Sequence, residues 1–348
     1  MVVTLTVVAI ALVHRGGSNA VVGTSYPMSY SILYRVVQNG VPHWEVLSVQ
    51  RPFTASDLTY TGAVPPRSGD SAAAGNMSTA TGLYAVDAQA VRLVSGRQPG
   101  PPSGDQFVGA ALSELASRGL AEDLGTTSTI AGRRCTLYRF AGPPSGAVAP
   151  RDHAADHDDL CFDAAGLELS ESWTYHGAIV LQRTAVRVRT SAEPGADASL
   201  PTPPSLAGAI PVGRGGATIT PDAHPSTFIA PPPTPSGFTP SGTAVDLAFA
   251  DPQDPAQTVA TSVVWAFTRG PRVVTVEAGS ERSGGLPWNA RDTVARSTHL
   301  AGLGAASTVV RSDGFEVRVD LGGGAWVRIR GTVSLDELVA YAQRLTHA

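Results

Sequence analysis

Two cysteines are the residues with the clearest chemical options in this chain of 348 residues. Cys135 lies in the run Gly132-Arg-Arg-Cys-Thr-Leu-Tyr-Arg-Phe140, and Cys161 lies in Asp159-Leu-Cys-Phe-Asp163; both runs are short and β-prone. In an exported protein, such a pair is typically joined, so we predict a disulfide between them. Two buried thiols or half of a metal site are the alternatives, although no C-x-x-C pair supplies the usual zinc spacing.

A serine in the triplet Gly69-Asp70-Ser71 resembles the start of a serine-esterase block. Such a serine needs a positioned base and an oxyanion hole. The triplet lies in a loop rich in glycine and alanine, and no Asp-x-x-His pair near the C-terminus completes a triad. We therefore predict that the protein is not an enzyme, and a serine hydrolase that uses Ser71 is the remaining catalytic alternative.

Five possible metal ligands lie within the seven residues from His153 to Asp159. Imidazole and carboxylate groups so close together could gather a cation. The segment follows Pro150 in a stretch that has the composition of a loop, and a solvated acidic loop is the interpretation that we adopt. We accordingly predict neither a metal site nor a cofactor.

The charge composition excludes several classes of function. Charged residues make up 16% of the chain, the formal net charge is −4, and all 25 positively charged residues are arginine. Without lysine, the chain cannot use a Schiff base, a P-loop lysine or a Ser-Lys dyad. A slightly acidic chain also lacks the basic surface that nucleic-acid binding needs, so we predict no nucleic-acid partner.

The N-terminal segment is predicted to direct export. Residues Val2 to Val13 are uncharged and mostly aliphatic, and Ser18-Asn19-Ala20 could be a cleavage site. Twelve residues are too few for a full membrane span but suit a signal sequence or part of a signal anchor. A buried first strand is the alternative. We expect residues 1–26 to be this export segment. The protein should then be extracytoplasmic, either secreted or anchored in the membrane through its N-terminus. A lipoprotein is not expected, since no cysteine lies near the aliphatic run.

Residues 27–192 are predicted to form an α+β domain. Alternation of apolar residues from Tyr30 to Val36, the turn dipeptide Asn39-Gly40 and renewed alternation from Trp44 indicate a β-hairpin. An amphipathic helix is predicted over Asp105 to Leu120, and loops over Pro65 to Gly75 and Gly142 to Asp159. Successive strands with one or two helices favour an antiparallel sheet with a packed helix. The further strands are predicted over Gly82–Val86, Ala90–Val94, Thr136–Phe140, Leu160–Phe162, Leu167–Tyr175 and Ala178–Arg189.

A proline-rich linker and a smaller domain follow. Residues 193–242 hold 12 of the 27 prolines, and we expect this stretch to join two domains without extending either sheet. Residues 243–348 are predicted to form an α+β unit of five or six strands before one helix. That helix should begin at Ser334, where Glu337 completes a capping box.

The order of these parts resembles the RseB/MucB family of extracytoplasmic regulators of envelope-stress sigma factors. The motifs that carry the resemblance are Ala131-Gly-Arg-Arg-Cys135, Leu160-Cys-Phe-Asp-Ala-Ala-Gly-Leu-Glu-Leu169, Pro235-Ser-Gly-Phe238 and Gly324-Ala-Trp-Val-Arg-Ile-Arg-Gly-Thr-Val333. The resemblance implies a LolA-like half-barrel for the larger domain, an apolar or lipid ligand, and a membrane-spanning anti-sigma factor as protein partner. A carrier of lipid or lipoprotein in the cell envelope is the alternative function.

Half-barrels expose one face of their strands, and we predict that this face binds the apolar ligand. The candidate residues are aromatic or aliphatic and lie in strand-like runs: Tyr30, Ile32, Tyr34, Trp44, Trp173 and Tyr175.

Overall fold

The computed structural model shows an α+β protein built from two mostly antiparallel sheets and, among the described residues, one helix with defined ends. The described residues are 29–50, 54–79, 82–96, 116, 121–141, 157–190, 200–201, 203–211, 218–219, 229–241, 245–250, 258–270, 272–281, 296–311 and 314–348.

The first sheet has twelve strands and forms the half-barrel. Its strands are β1 (Ser29–Gln38), β2 (Val41–Gln50), β3 (Thr54–Tyr60), β4 (Ala74–Ser78), β5 (Gly82–Asp87), β6 (Val91–Gly96), β7 (Ala121–Ile130), β8 (Arg133–Ala141), β9 (His157–Asp163), β10 (Glu168–Tyr175), β11 (Ala178–Thr190) and β12 (Ile210–Pro211). Strand β1 lies in the middle, with β2 to β6 and then β12 on one side and β11 back to β7 on the other. The sheet is therefore two meanders joined at β1.

Both faces of this sheet bury apolar side chains. Tyr34 of β1 pairs with Glu45 of β2, and the next residue, Arg35, pairs with Trp44. Successive side chains of a strand point to opposite faces of the sheet, so the Tyr34–Glu45 pair and the Arg35–Trp44 pair lie on opposite faces. One cluster contains Tyr30, Ile32, Tyr34, Val36, Leu47, Val49, Ala55, Cys135, Cys161, Leu167, Leu169 and Ala185. The other contains Leu33, Trp44, Val46, Leu58, Tyr60, Ala72, Met77, Val86 and Leu200.

The second sheet has nine strands, and the C-terminal helix contributes to its core. The strands are β13 (Thr218–Ile219), β14 (Thr239–Pro240), β15 (Val245–Ala250), β16 (Thr258–Arg269), β17 (Arg272–Glu281), β18 (Arg296–Leu300), β19 (Gly304–Arg311), β20 (Gly314–Gly322) and β21 (Ala325–Gly331). Helix α1 (Leu335–Ala342) buries Leu338, Tyr341 and Ala342 in the same cluster as Val317, Val327 and Ile329.

Helix α1 begins as predicted from its capping residues. The Ser334 side chain accepts a hydrogen bond from the Glu337 backbone N–H at 3.2 Å, which satisfies one of the donors that a helix start leaves without an internal partner. The Glu337 carboxylate in turn binds Arg269 at 2.7 Å, and the Arg269 guanidinium lies 4.5 Å from the Phe238 ring centroid. These contacts connect the Pro235–Phe238 motif to the start of the helix.

Most of the predicted strands are confirmed, and one expected loop is shorter than predicted. The loop expected over Pro65 to Gly75 ends in strand β4, and strands β3, β7 and β18 had no prediction. The predicted helix over Asp105 to Leu120 lies outside the described residues except for Ala116, which is helical. Residues 1–28 are likewise outside them, and no helix in the described part is long and apolar enough to span a membrane.

The expectation that the proline-rich stretch adds to neither sheet is wrong. Ile210–Pro211 pairs with β6, Thr218–Ile219 with β15 and Thr239–Pro240 with β16. Each of these strands has only two residues and lies at the side of a longer strand, where a proline without an N–H costs little. Ile229 and Phe238 of the same stretch are buried in the core of the second sheet.

Candidate functional site

Three of the six predicted ligand-binding residues lie together in the half-barrel core. Tyr30, Ile32 and Tyr34 are 6%, 1% and 0% exposed and belong to one cluster. The Tyr34 hydroxyl donates a hydrogen bond to the Glu168 backbone carbonyl at 2.8 Å, which ties β1 to the start of β10. In this structure, these three side chains fill the interior rather than line an open surface.

The assignment of Trp44 to the same face is wrong. Because Trp44 pairs with Arg35, it lies on the face opposite Tyr34, where it packs with Leu33 and Val46. The Arg35 guanidinium lies 5.0 Å from the centroid of the Trp44 ring. The error arises because the predicted hairpin gave alternation within each strand but not the register between the two strands.

Trp173 and Tyr175 lie near the end of β10 and are half-buried, with ring centroids 6.1 Å apart. The Tyr175 ring also contacts His176, at 4.0 Å between centroids. The Trp173 indole N–H has no hydrogen-bond partner in the described structure. These two residues are therefore the members of the predicted set whose side chains are partly exposed, although the Trp173 indole nitrogen itself is buried.

Two exposed aliphatic side chains lie at the same end of the sheet. Val41 starts β2 after the β1–β2 turn and is 64% exposed, and Ile179 is the second residue of β11 after the β10–β11 turn and is 62% exposed. A hydrogen bond from the Asn39 backbone N–H to the Val180 carbonyl, 2.8 Å long, joins the two hairpins there. We call Val41, Trp173, Tyr175, His176 and Ile179 the hairpin end.

The predicted disulfide is confirmed. Cys135 of β8 and Cys161 of β9 are bonded, with their Cα atoms 5.5 Å apart and both residues 1% exposed. Strand β8 pairs Leu137 directly with Cys161, so the bridge joins diagonal positions on neighbouring strands. It lies within the cluster that contains Tyr30 and Ile32.

The other two chemical motifs have different surroundings. Ser71 is exposed in the segment between β3 and β4, next to Asp70, whose carboxylate accepts a hydrogen bond from the Arg67 backbone N–H at 2.7 Å.

Within the acidic segment, residues 151–156 lie outside the described part, but His157, Asp158 and Asp159 belong to β9. Asp158 is 1% exposed, so the expectation of a solvated loop is wrong for this part. The described residues contain no group of His, Cys, Asp and Glu suited to a metal ion.

A set of acidic residues that sequence reasoning missed surrounds Arg183. Arg183 is 6% exposed, and its Cζ atom lies 3.9 Å from the centroid of the Tyr34 ring. Its Nε lies 2.9 Å from a Glu45 carboxylate oxygen, and its Nη1 lies 3.5 Å from Glu168 Oε1. We call the acidic members the carboxyl cluster; they come from β2, β3, β9 and β10 and are Glu45, Asp57, Asp158, Glu168 and Glu171.

Three members of the carboxyl cluster are deeply buried. Asp158, Glu168 and Glu171 are 1%, 5% and 8% exposed. Asp158 and Glu171 lie diagonally on one face of the β9–β10 pair, where their carboxyl groups interact. Neither Glu168 carboxylate oxygen accepts a hydrogen bond in the described structure, so its ion pair with Arg183 is its main compensation for burial.

Burial changes the acidity of these groups. Desolvation, with a smaller contribution from Glu171, raises the pKa of Asp158 to about 8. Burial also raises the pKa of Glu168, Glu171 and Asp57, although Arg183 opposes the effect in each case. For Arg183, burial acts to lower the pKa, but Tyr34, Glu168, Glu45 and Asp57 outweigh it and the pKa is raised. The guanidinium therefore stays charged while at least one carboxyl group holds a proton at neutral pH.

The sequence contained a signal for this cluster. Arg183 alternates with Leu181 and Ala185 along β11, and Glu45 alternates with Leu47 along β2, so each is a charged residue on an otherwise apolar face. Charged residues at such positions are almost always paired in the folded protein. Which residues pair, however, depends on the register of strands that are far apart in the sequence.

Comparison with solved structures identifies similar chains. A crystal structure of MucB in complex with MucA(peri) is 14% identical over 92% of this chain and 93% of that chain, with a TM-score of 0.27. A crystal structure of MucB is 15% identical over 95% and 96%, with a TM-score of 0.30. A structure of PNGF-II is 7% identical over 87% of this chain and 63% of that chain, with a TM-score of 0.28.

No protein-family model matches this chain, and no curated protein matches it. The fold described above therefore rests on the strands, their pairing and the cores of this chain itself.

Proposed function

We propose that this protein is an extracytoplasmic regulatory protein that binds an apolar signal and a protein partner, an anti-sigma factor. The observation that carries the proposal is the order of parts: a half-barrel sheet with an internal disulfide, a proline-rich stretch, and a smaller sheet with one C-terminal helix. This order and the motifs Ala131–Cys135 and Pro235–Phe238 are those on which the resemblance to the RseB/MucB family rests.

The disulfide supports the extracytoplasmic part of the proposal. Disulfides form and persist in oxidising compartments and are rare in the cytosol. Cys135 and Cys161 are buried in the core, where the bond stabilises the folded domain and is shielded from solvent. A structural bridge of this kind fits a protein that works outside the cytoplasm.

The hairpin end supports binding of an apolar ligand. Trp173 and Tyr175 present partly exposed rings near the β10–β11 turn, and Val41 and Ile179 near the same end of the sheet are more than half exposed, with Ile179 on the face of its partner Thr174. Exposed apolar and aromatic groups gathered at one end of a sheet are typical of surfaces that contact lipid or another apolar partner. The proposed ligand therefore contacts this end of the half-barrel rather than the interior that Tyr30, Ile32 and Tyr34 fill.

A binding titration tests the proposed partner. The chain from residue 29 onward, with its disulfide formed, would be titrated by calorimetry with the extracytoplasmic part of a single-pass anti-sigma factor encoded beside its gene. We expect saturable one-to-one binding, and no binding to the extracytoplasmic part of an anti-sigma factor from an unrelated operon. Absence of heat with the neighbouring protein, at concentrations up to 100 μM (roughly −5 kcal/mol of binding free energy), would contradict the proposal.

A variant pair tests the apolar site. Trp173→Ala and Ile179→Ser should weaken binding of dihexanoylphosphatidylcholine, a soluble short-chain phospholipid used below its micelle concentration. Val64→Ser is the matched control, since Val64 is an exposed valine in the segment between β3 and β4. Equal affinity in all three variants and the unchanged protein would show that the hairpin end does not bind apolar ligands.

A further inference from the structure

The carboxyl cluster contains more acidic groups than its positive charge can balance. Glu45, Asp57, Glu168 and Glu171 interact with the guanidinium of Arg183, and the fifth carboxyl group, Asp158, interacts with Glu168 and Glu171. At the partly exposed side, His43 Nε2 lies 3.2 Å from a Glu45 oxygen. Buried carboxylates without a partner are unfavourable because they lose hydration without gaining an opposite charge. The folded cluster is thus favoured when it holds one or more protons.

The geometry identifies where a proton is held. Asp158 pairs with Trp173 and Glu171 with Leu160, so the two carboxyl side chains lie diagonally on one face of the β9–β10 pair, and two buried carboxyl groups this close are favoured when one of them is protonated. Both residues are buried, and they lie on neighbouring strands, β9 and β10. Removal of the shared proton would convert an attractive contact into a repulsive one between these two strands.

We propose that the Asp158–Glu171 pair makes the β9–β10 part of the half-barrel sensitive to pH. With the proton in place, the pair holds β9 against β10, while Arg183 of β11 binds Glu168 of β10 and Glu45 of β2. When the proton is lost at alkaline pH, β9 and β10 separate more easily from the rest of the sheet. The inference goes beyond the proposed function and requires neither the partner nor the apolar ligand.

The groups that face the pair act in opposite directions. From β11, Arg183 favours the ionised form of Glu171. Carboxyl groups on the other strands disfavour ionisation of one or both members: Glu45 of β2 and Asp57 of β3 act on Glu171, and Asp159 of β9 acts on Asp158. Glu168 of β10 is itself affected by both members of the pair, and Tyr34 of β1 lies against Arg183. Opening of the strands hydrates all of these groups and returns the pKa values of the carboxyl groups toward those of the unfolded chain.

The sign of the pH effect follows from the direction of these changes. A carboxyl group whose pKa is higher in the folded state stabilises the fold fully below its unfolded pKa, near 4, and loses this contribution as the pH rises through its folded pKa. For Asp158 that pKa is about 8. Between these values one proton is released on opening, so the opening equilibrium constant rises about tenfold per pH unit.

Hydrogen exchange of the full chain at pH 6 and pH 8 tests the inference. After correction for the intrinsic pH dependence of amide exchange, we expect opening of β9 and β10 to be about 50-fold more frequent at pH 8 than at pH 6, since the folded pair is half ionised at pH 8. Asp158→Asn and Glu171→Gln each keep a hydrogen-bond donor in the pair without a titrating proton, and both should remove most of this difference. Glu122→Gln, an exposed carboxyl of β7, is the matched control and should retain it.

The outcomes separate a shared proton from a merely structural contact. A structural contact alone predicts equal corrected exchange at the two pH values in the unchanged protein, and that result would overturn the inference. An unchanged pH dependence in both the Asp158→Asn and Glu171→Gln variants would also overturn it. If one variant does not fold, the other variant and the unchanged protein still decide the question.

Discussion

Arg183 is surrounded by the carboxyl cluster and stacks against Tyr34, so its charge balances several groups at once. We predict that Arg183→Met lowers the free energy of unfolding at pH 7 by about 3 to 5 kcal/mol, because buried carboxylates lose their partner. The loss should be smaller at pH 5, since more of the carboxyl groups then hold protons. Urea unfolding at both pH values measures the two differences.

A matched control for Arg183 is available at the surface. Arg92 is partly exposed and pairs with Asp87, so Arg92→Met should change stability little at either pH. Equal losses of stability for Arg183→Met and Arg92→Met would contradict the conclusion that Arg183 balances the charge of the buried carboxylates.

The disulfide contributes to stability through the unfolded chain. Cys135 and Cys161 are 26 residues apart, and closing a loop of this length is worth about 3 to 4 kcal/mol on the chain-entropy model. The double replacement by alanine should therefore lower the free energy of unfolding by at least that amount. Denaturation in urea, with the intact mass of each protein confirming its oxidation state, provides the comparison; a loss below about 1 kcal/mol would be inconsistent with a bridge that constrains the chain.

Individual residues differed in how far the sequence could predict their environment. The pairing of Cys135 with Cys161 was predictable because two cysteines allow only one intramolecular bridge. The position of Trp44 and the contacts of Arg183 were not, since both depend on the register between strands, and a shift of one residue moves a side chain to the other face.

At the scale of elements, the turn between β18 and β19 packs closely against the C-terminal residues at Gly302. A Cβ atom at this position would lie 2.0 Å from the Leu345 carbonyl oxygen. We predict that Gly302→Ala lowers the free energy of unfolding by about 1 to 3 kcal/mol, because the backbone must shift to relieve the overlap.

Thermal and urea unfolding would check this value, with Ala301→Ser as the control. Ala301 is exposed and adjacent, so its substitution should leave the stability almost unchanged. If Gly302→Ala is as stable as the control, the C-terminal residues do not pack against this turn as described.

Elements with a strong local signal were predictable, and those with a polar composition were not. The β1–β2 hairpin has clear alternation and a turn dipeptide, and helix α1 has its capping box. Strand β3 reads Thr-Ala-Ser-Asp-Leu-Thr-Tyr, and strand β4 contains a glycine, so neither shows the apolar alternation that identifies a strand. These strands form because their neighbours in the sheet supply hydrogen bonds.

For the whole molecule, the boundary of the smaller unit lies earlier than the proline content alone suggests. Ile229 pairs with His347 and is 1% exposed, and Phe238 packs under Arg269. We predict that a fragment of residues 229–348 is more stable than one of residues 243–348 by about 3 to 6 kcal/mol, the contribution expected from burying two large apolar side chains.

Urea unfolding of the two fragments, followed by circular dichroism, tests this boundary. Ser236→Ala in the longer fragment is the control, because the Ser236 side chain is exposed and its loss should have little effect. Equal stability of the two fragments would show that residues 229–242 are not part of the smaller core.

The proposed regulator binds both an apolar signal and a protein partner, and regulation requires that the signal changes the affinity for the partner. The most direct test is a calorimetric titration of the neighbouring anti-sigma factor's extracytoplasmic part into this protein, with and without saturating dihexanoylphosphatidylcholine. The account predicts a change in partner affinity of at least fivefold, matched by an equal change in phospholipid affinity when the partner is present. Partner affinity that stays the same with and without phospholipid would contradict it.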